Sequence, residues 1–347
     1  MNDQSTVAPG ASRELQRLLR QYREPSLVRS VGQFVTSFVP YLVGLIAMGA
    51  IAQISYLLSL LLALPTAGFL IRVFIIFHDA GHGSFFRRSR WNRALGYVAG
   101  ILTFTPFQHW THEHAMHHAT AGDLDRRDLG DVWTMTVQEF VAAPRRLRLA
   151  YRVFRNPFVL FFLVAPIGFL FNHRVPRKRT RSRAKWAIVW TNVGVALFVV
   201  AMSLPFGFVN FVLVFTPVFL VASTVGTWLF YVQHQFEGVY WRRHEGWDFA
   251  SAALSGSSYL ALPRVLQWFT GNIGFHHIHH LDPRIPNYHL ERAHREQPLL
   301  RQVPVLRLRD TVLCLSLRLY DETSRQMVSF REGLRRARQL QPAPTPA

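Results

Sequence analysis

The sequence predicts an all-α integral membrane fold, in which four transmembrane helices form two hairpins below a cytoplasmic helical cap. Half of the 347 residues are hydrophobic, and the mean hydropathy is slightly positive, at +0.11. The apolar residues gather into stretches of membrane length, which is typical of an integral membrane protein. The arginines gather between these stretches, as expected of cytoplasmic segments.

Four stretches have close to the roughly 20 apolar residues that a bilayer crossing requires. They are residues 30–53, 54–77, 186–204 and 206–232. The turns that would join them in pairs, near Ala52–Ser55 and Leu204–Gly207, carry no charge. Short uncharged loops are typical of the non-cytoplasmic side. Arg72, near the end of the second stretch, is expected to extend toward the headgroups or to face a site.

Two weaker apolar stretches, 94–107 and 157–171, are only about 14–15 residues long. This length predicts interfacial or re-entrant segments rather than spans. Basic residues lie on both sides of 157–171, so both flanks are expected to be cytoplasmic. These flanking residues are Arg145, Arg146, Arg148, Arg152 and Arg155 before it, and Arg174, Arg177, Lys178, Arg179, Arg181, Arg183 and Lys185 after it.

Polar segments are predicted at both ends of a single membrane domain, residues 30–340. Within residues 1–29, the stretch 11–23 places apolar side chains on one helical face and arginines on the other, which predicts a basic interfacial helix. These apolar residues are Leu15, Leu18, Leu19 and Tyr22. The stretch from Val305 to about Leu340 has a similar pattern, and 341–347 is expected to be a disordered tail.

The composition excludes several kinds of redox protein. The chain has one cysteine, Cys314, so it forms no intrachain disulfide and cannot alone supply four thiolates to an iron–sulfur cluster. It also lacks a Cys-x-x-Cys-His haem motif and a Gly-x-Gly-x-x-Gly dinucleotide motif. Any redox chemistry would therefore take its electrons from another protein. The net charge of +19 favours anionic lipids and acidic protein partners.

Nine histidines form four clusters, each at the end of a hydrophobic stretch. Histidines three or four residues apart share one helical face, so their rings can converge on one point. Nine imidazoles are too many for one ion but suit two, which predicts a histidine-rich di-metal site. The nine are His78, His82, His114, His117, His118, His234, His276, His279 and His280.

A shared site requires all four clusters to lie on one side of the membrane, so an even number of crossings must separate consecutive clusters. Zero crossings between His82 and His114 mean that 94–107 does not cross. Two crossings between His118 and His234 mean that 157–171 does not cross either. This model places the site and both termini in the cytoplasm.

The other polar residues near the clusters receive weaker assignments. Four are placed to accept the second N–H of a metal-bound histidine, namely Asp79, Glu113, Asn272 and Asp282. The acidic residues Asp123, Asp125, Asp128 and Asp131 are interpreted as a solvated loop. Three histidines are expected to lie behind the ligands or in solvent, namely His109, His112 and His277. Four are expected to be ordinary surface residues, namely His173, His244, His289 and His294.

At these residues the chain resembles the membrane-bound fatty acid desaturases, which are defined by one His-x-x-x-His and two His-x-x-His-His boxes. It is most similar to the bacterial acyl-lipid desaturases of the delta-5 type, over roughly residues 70–335. The most similar segments are Phe77–Phe86, Trp110–Thr120, Tyr231–Tyr240, Gly256–Pro263 and Thr270–Tyr288.

The resemblance implies two iron ions, held by the nine histidines, that activate O2 to introduce a cis double bond into a fatty acyl chain. It also implies an acyl-lipid substrate and an acidic ferredoxin- or flavodoxin-like electron donor. The expected location is a bacterial inner membrane, among membrane lipids, with no nucleic acid as a partner.

The residues alone leave the metal open, because imidazole suits iron, zinc, copper and nickel. They also leave three alternative functions open. A hydroxylase or ketolase could use the same boxes, and a zinc hydrolase would keep an open position on one metal and need no electron donor. A membrane metal transporter would need ionisable residues along its spans, and the four stretches are nearly free of them apart from Arg72.

Overall fold

The computed structural model describes residues 14–15, 17–127, 130–172, 174–176 and 182–339. Its helices are α1 Leu27–Ala52, α2 Tyr56–Leu60, α3 Ala63–His82, α4 Ser89–Leu102, α5 Phe107–Thr120, α6 Val137–Ala142, α7 Arg145–Phe154, α8 Val159–Asn172, α9 Ser182–Ser203, α10 Phe208–His234, α11 Phe249–Ser255, α12 Arg264–Phe269, α13 His276–Leu281, α14 Asn287–Glu296, α15 Asp310–Cys314 and α16 Phe330–Gln339. Its strands are β1 Met135–Thr136, β2 Tyr259–Ala261, β3 Val305–Arg307, β4 Leu319–Asp321 and β5 Gln326–Val328. Short 3-10 helices are Arg20–Tyr22, His244–Gly246 and Pro298–Arg301.

The predicted mostly helical membrane fold is confirmed. In the described part of the chain, α1, α3, α9 and α10 are long and apolar enough to cross a membrane. The second span differs from its predicted bounds, because 54–77 is divided into the short α2 and the longer α3. The helix α3 continues to His82, so His78 and His82 lie on the spanning helix itself.

A glycine ends α3 directly after this histidine pair. Gly83 has φ +71°, a left-handed conformation that favours glycine. Its N–H donates to the Ala80 carbonyl at 3.1 Å, and the Ser84 N–H donates to the Asp79 carbonyl at 3.0 Å. These bonds close the last turn of the helix.

The helix α3 is the central span. Within its most apolar window, 72% of the residues are buried, against 33% or less in the other three spans. It packs against α1, α4 and α10. Its buried face includes Leu70, Val73, Ile76 and Phe77. Between spanning helices such contacts stabilise through van der Waals packing, so this packing holds the histidine pair in place.

The two hairpins are also joined at the end remote from the histidines. The Asn210 side chain donates to the Gly49 carbonyl at 3.0 Å, and the Gln53 side chain donates to the Phe206 carbonyl at 3.4 Å. These bonds connect the uncharged turns that the sequence predicted, and so fix the hairpins relative to each other.

The two weak apolar stretches form helices that are offset from their predicted bounds. The amphipathic α4 ends at Leu102, and α5 begins at Phe107. The helix α8 bends by 74° away from α7, and these two would form a fifth span only if the bent pair crosses as one unit. That α4 and α8 do not cross therefore stays a prediction.

Two small sheets lie in the cap, and they correct the interfacial helix predicted from Val305 to Leu340. This part of the chain contributes β3, β4 and β5 as well as α15 and α16. The strand β3 pairs in parallel with β2, while β4 lies between β1, which is parallel to it, and β5, which is antiparallel. The amphipathic pattern arose because one face of α16 packs on β4 and α6 rather than on lipid.

The prediction that the apolar face of the N-terminal helix lies on the membrane interface was also wrong. In the described part of 11–23, Leu15, Leu19 and Tyr22 are at most 2% exposed. They pack in the cap with residues that include Ile278 and Leu290, whereas Leu18 is 40% exposed. The apolar face therefore covers α13, the helix that carries His276, His279 and His280. The predicted tail, 341–347, lies outside the described residues.

Arg155 was predicted to be a flanking cytoplasmic charge, but it is a core residue that is 1% exposed. Its guanidinium donates to the Thr134 hydroxyl, to the Gln235 side-chain oxygen and to the carbonyls of Trp133 and Leu317. These bonds join the β1 region, the end of α10 and the segment before β4. Arg155 therefore links the cap to the last spanning helix.

Candidate metal centre

Four helices bring the nine predicted histidines together. The helix α3 carries His78 and His82, and α10 ends with His234. The helix α5 carries His114, His117 and His118, and α13 carries His276, His279 and His280. The rings form two groups, and within each group one nitrogen per ring lies within 4.8 Å of all the others. Both α5 and α13 contribute to both groups.

The first group contains His78, His82, His114, His118 and His279. Nε2 of His118 lies 3.1 Å from Nε2 of His114 and 2.9 Å from Nε2 of His279. The Nε2 atoms of His78 and His82 are buried and have no hydrogen-bond partner among the described residues. Five ring nitrogens therefore face a common point.

The second group contains His117, His234, His276 and His280. Nε2 of His234 lies 2.9 Å from Nε2 of His276, and Nε2 of His117 lies 3.3 Å from Nε2 of His280. All four residues are buried. The rings of His118 and His280 stack with centroids 4.3 Å apart, so the two groups are adjacent.

Hydrogen bonds from outside the groups orient three of the rings. Nδ1 of His117 lies 2.6 Å from a carboxylate oxygen of Asp131, and Nδ1 of His234 lies 3.1 Å from the Gly256 carbonyl. Nδ1 of His78 lies 3.3 Å from the Asp79 carboxylate. Each acceptor favours a proton on Nδ1, which leaves the Nε2 lone pair directed into the group.

Asp79 is itself held by a buried polar network. Its second carboxylate oxygen accepts hydrogen bonds from the backbone and side-chain N–H groups of Asn287, both at 2.8 Å. The Asn287 side chain exchanges two further bonds with Gln33 of α1, at 2.9 and 3.2 Å. This network connects α1 and α14 to the first histidine of α3.

Burial keeps the imidazoles of the cap in their neutral form. It lowers the pKa of each of them well below the usual value, and neighbouring imidazoles add to the effect. These residues are His114, His118, His276, His279 and His280. A neutral imidazole has a lone pair for a metal, whereas a protonated one does not.

The other three residues predicted to accept from a ligand have different partners. Glu113 lies 3.5 Å from His109 and borders an apolar cavity. Asn272 hydrogen bonds to Gln267 and to the Asn287 carbonyl, and so supports the Asp79 network from a distance. Asp282 pairs with Arg23 and Arg284, which fixes the N-terminal segment to the end of α13.

The interpretation of the acidic residues as a solvated loop was wrong for two of them. Asp131 contacts a histidine of the second group, and Asp123 is fully buried between Arg126 and His244. Asp125 is exposed and pairs with Arg243, as expected of a surface residue. Asp128 lies outside the described residues.

The remaining histidines lie away from the two groups. His277 is buried and donates to the Leu300 carbonyl at 3.0 Å, and burial lowers its pKa to about 3. His294 was predicted to be an ordinary surface residue, but its ring packs against Tyr259 and Phe275. The others are half-buried or exposed, namely His109, His112, His244 and His289, and His173 lies outside the described residues.

The donor set fits two metal ions. Within each group, pairs of Nε2 atoms lie 2.9–3.3 Å apart, and an ion bound between the rings would explain this spacing. Buried nitrogens without partners are costly unless something binds them. An all-imidazole set of this kind suits iron, zinc, copper or nickel, as the sequence already indicated.

An apolar cavity of about 290 Å³ reaches both groups of histidines. His78 and His114 of the first group and His276 of the second border it. Its walls come from α3, α10 and α8 and include Leu70, Ile71, Phe74, Phe169, Phe219 and Ala222. Such a cavity suits a hydrocarbon chain that extends from the histidines into the spans.

Comparison with known proteins identifies the family. Residues 18–308 match the family model described as fatty acid desaturase. The chain belongs to the fatty acid desaturase family. This desaturase is 43% identical over 320 residues to a protein named fatty acid desaturase from Bacillus subtilis, covering 92% of this chain and 91% of that one.

Two cyanobacterial relatives from Synechocystis are more distant. One, named sn-1 oleoyl-lipid 12-desaturase, is 29% identical, with 72% of this chain and 73% of the relative covered. The other, named sn-1 acyl-lipid omega-3 desaturase (ferredoxin), is 27% identical, with 78% and 75% covered. The resemblance that the histidine boxes indicated is therefore confirmed, and the chain is an enzyme, a fatty acid desaturase in a membrane.

Proposed function

We propose that this desaturase uses O2 and two iron ions to introduce a cis double bond into a lipid-linked acyl chain. The observation that carries the proposal is the meeting of two histidine groups with one apolar cavity. The relatives named as acyl-lipid desaturases support the lipid-linked substrate.

The group of five histidines that includes His118 would hold one ion, and the group of four that includes His280 would hold the other. Bound iron would supply the O2 activation that removes hydrogen from an unactivated methylene, which no acid–base group of a protein can do. Asp79, Asp131 and the Gly256 carbonyl would keep three of these rings in the required tautomer and orientation.

The walls of the cavity orient the acyl chain. Apolar side chains of α3 and α10 exclude water and hold the methylenes beside His78, His114 and His276. The double-bond position would then depend on how deep the chain enters. Phe169 and Phe219 are among the large side chains that line the cavity and could restrict this depth.

The reaction needs an outside source of electrons. Removing two hydrogens from the chain supplies two of the four electrons that reduce O2 to two waters, and a donor protein supplies the other two, with two protons from water. One relative is named for ferredoxin. An acidic ferredoxin- or flavodoxin-like protein suits the net charge of +19.

The proposed location is a bacterial inner membrane, with the metal centre and both termini on the cytoplasmic side. The charge pattern supports this orientation, because the basic segments before and after α8 would both be cytoplasmic. Cysteine labelling at positions on each side of the spans would test it.

The decisive experiment expresses the chain in a host of known lipid composition and locates new double bonds by mass spectrometry of intact lipids. The expected result is a new cis double bond in phospholipid acyl chains, absent from cells that express His82→Ala. Appearance of hydroxy or keto lipids instead would replace this proposal by the hydroxylase or ketolase alternative.

A further inference from the structure

A second cavity, of about 600 Å³, lies against a different face of α3 from the acyl cavity. Arg29, Arg72 and Arg264 line it, together with polar residues of α1, α12 and α14. We call it the arginine pocket. Whereas the acyl cavity is mainly apolar, this pocket gathers three cations in one place.

Arg72 is the deepest of the three, and it is only 5% exposed. Its guanidinium lies 3.7 Å from the centre of the Trp268 ring and donates to the Ser37 hydroxyl and the Trp268 carbonyl. No carboxylate of the described residues lies within ion-pair distance of it. A buried cation on a spanning helix is costly without a counter-ion, so the site favours an anion.

The other two arginines are exposed and are free to contact a ligand. Arg29 makes one long bond, at 3.4 Å, to the Tyr288 carbonyl. Glu291 is the one carboxylate among the described residues that line the pocket, and it accepts from Gln267 at 3.1 Å. Three arginines and one glutamate leave an excess of positive charge facing the pocket.

The surroundings of the pocket are those of a membrane interface. On α1, Val28 is 83% exposed and Val31 is 46% exposed, and on α12 Val265 is 68% exposed. Trp268, also partly exposed, is a residue type that is enriched at the headgroup level of membranes. An occupant with a charged head and apolar tails would satisfy both the arginines and these side chains.

We propose that the arginine pocket binds the phosphate of a membrane glycerophospholipid, whose acyl tails lie along the exposed faces of α1 and α12. Guanidinium groups bind phosphate oxygens in pairs of charge-assisted hydrogen bonds. This lipid site is separate from the acyl cavity. It borders Asn287 and Gln33, so a bound lipid would also stabilise the network that holds Asp79 beside His78.

Native mass spectrometry of the purified, delipidated full chain in detergent would test this inference. Dioleoyl phosphatidylglycerol, dioleoyl glycerol and inorganic phosphate are titrated separately. The expected result is an affinity for phosphatidylglycerol that is about tenfold lower in Arg264→Gln than in the unmodified chain. The affinity is expected to be lower again in Arg29→Gln/Arg264→Gln. The diacylglycerol, which lacks the phosphate, is expected to bind far less.

Two further variants separate the pocket from general effects of charge. Gly32 lines the pocket, and a Cβ there would meet no atom within 4 Å, so Gly32→Leu takes up space without a clash and is expected to weaken lipid binding. Arg90→Gln is the matched control, because Arg90 is, like Arg29 and Arg264, an exposed arginine, and it lies on the amphipathic α4 outside the pocket. It is expected to bind lipid as the unmodified chain does.

Three results would overturn the inference. The first is equal affinity for phosphatidylglycerol in the double variant and in Arg90→Gln. The second is equally tight binding of the diacylglycerol. The third is saturable binding of inorganic phosphate that the arginine substitutions abolish while lipid binding remains, which would assign the pocket to a soluble anion.

Discussion

The carboxylate of Asp131 accepts a hydrogen bond from Nδ1 of His117, at 2.6 Å, and thereby orients one ring of the four-histidine group. Asp131→Asn removes the charge that favours this orientation. We expect affinity for the ion in that group to fall roughly 10–100-fold, as for other partners of metal-bound histidines.

Iron content after chelator challenge, measured by elemental analysis, would check this expectation. Asp125→Asn serves as the control, because Asp125 is exposed and pairs with Arg243. If Asp131→Asn kept two ions as tightly as the control, Asp131 would have no role in the centre.

Two histidines of α5 provide a sharp comparison. His114 belongs to the five-histidine group, whereas His112 is exposed on the same helix. His114→Ala is expected to reduce desaturation to background and to lower the iron content, while His112→Ala keeps both. Lipid analysis and elemental analysis of both variants supply the measurements. A fully active His114→Ala would remove this residue from the proposed ligands.

Arg155→Met tests the link between the cap and α10. The substitution leaves the Gln235 side-chain oxygen and the Trp133 carbonyl without this donor. We expect the free energy of unfolding to fall by about 3 kcal/mol or more, because hydrogen bonds to charged groups are strong and buried unpaired groups are costly. Thermal unfolding in detergent would measure the loss.

The control for this substitution is Arg146→Met, since Arg146 is exposed on α7. Its stability is expected to stay within about 0.5 kcal/mol of the unmodified chain. Equal stability of the two variants would contradict the structural role of Arg155.

Gly226→Phe tests the acyl cavity. Gly226 borders the cavity, and a Cβ at this position would meet no atom within 4 Å, so a larger side chain can begin there without a clash at its Cβ and take up part of the cavity. We expect desaturation of the normal product to fall at least about tenfold, or the double bond to move, while iron content is unchanged. Mass spectrometry of the lipids measures both outcomes.

Val212→Phe is the matched control, because Val212 lies on α10 but is exposed on its outer side. The same product at the same rate in both variants would show that the acyl chain does not pass Gly226.

The histidines could be predicted from the sequence because their information is local. Spacings of three and four residues define a helical face, and helix ends at membrane boundaries bring such faces together. Among the residues that orient these rings, Asp79 was predicted from its position beside His78, whereas the other two could not be predicted in this way. Asp131 and Gly256 reach their histidines through chain reversals that no local pattern encodes.

Amphipathic patterns show that a face is covered but not what covers it. The face with Leu15 and Leu19 and the face of α16 were both assigned to lipid, and both pack on protein. Arg155 was misjudged for the complementary reason, since a basic residue in a basic segment gives no sign that carbonyl groups from distant segments surround it.

The sharing of α5 and α13 between the two histidine groups has a consequence for how the enzyme would be assembled. A rotation of either helix about its axis displaces donors from both groups together. With iron bound as proposed, the first ion to enter would fix both helices and so prepare the neighbouring position for the second. Protein that carries a single ion would then be scarce. A preparation would consist mainly of molecules with two ions and molecules with none.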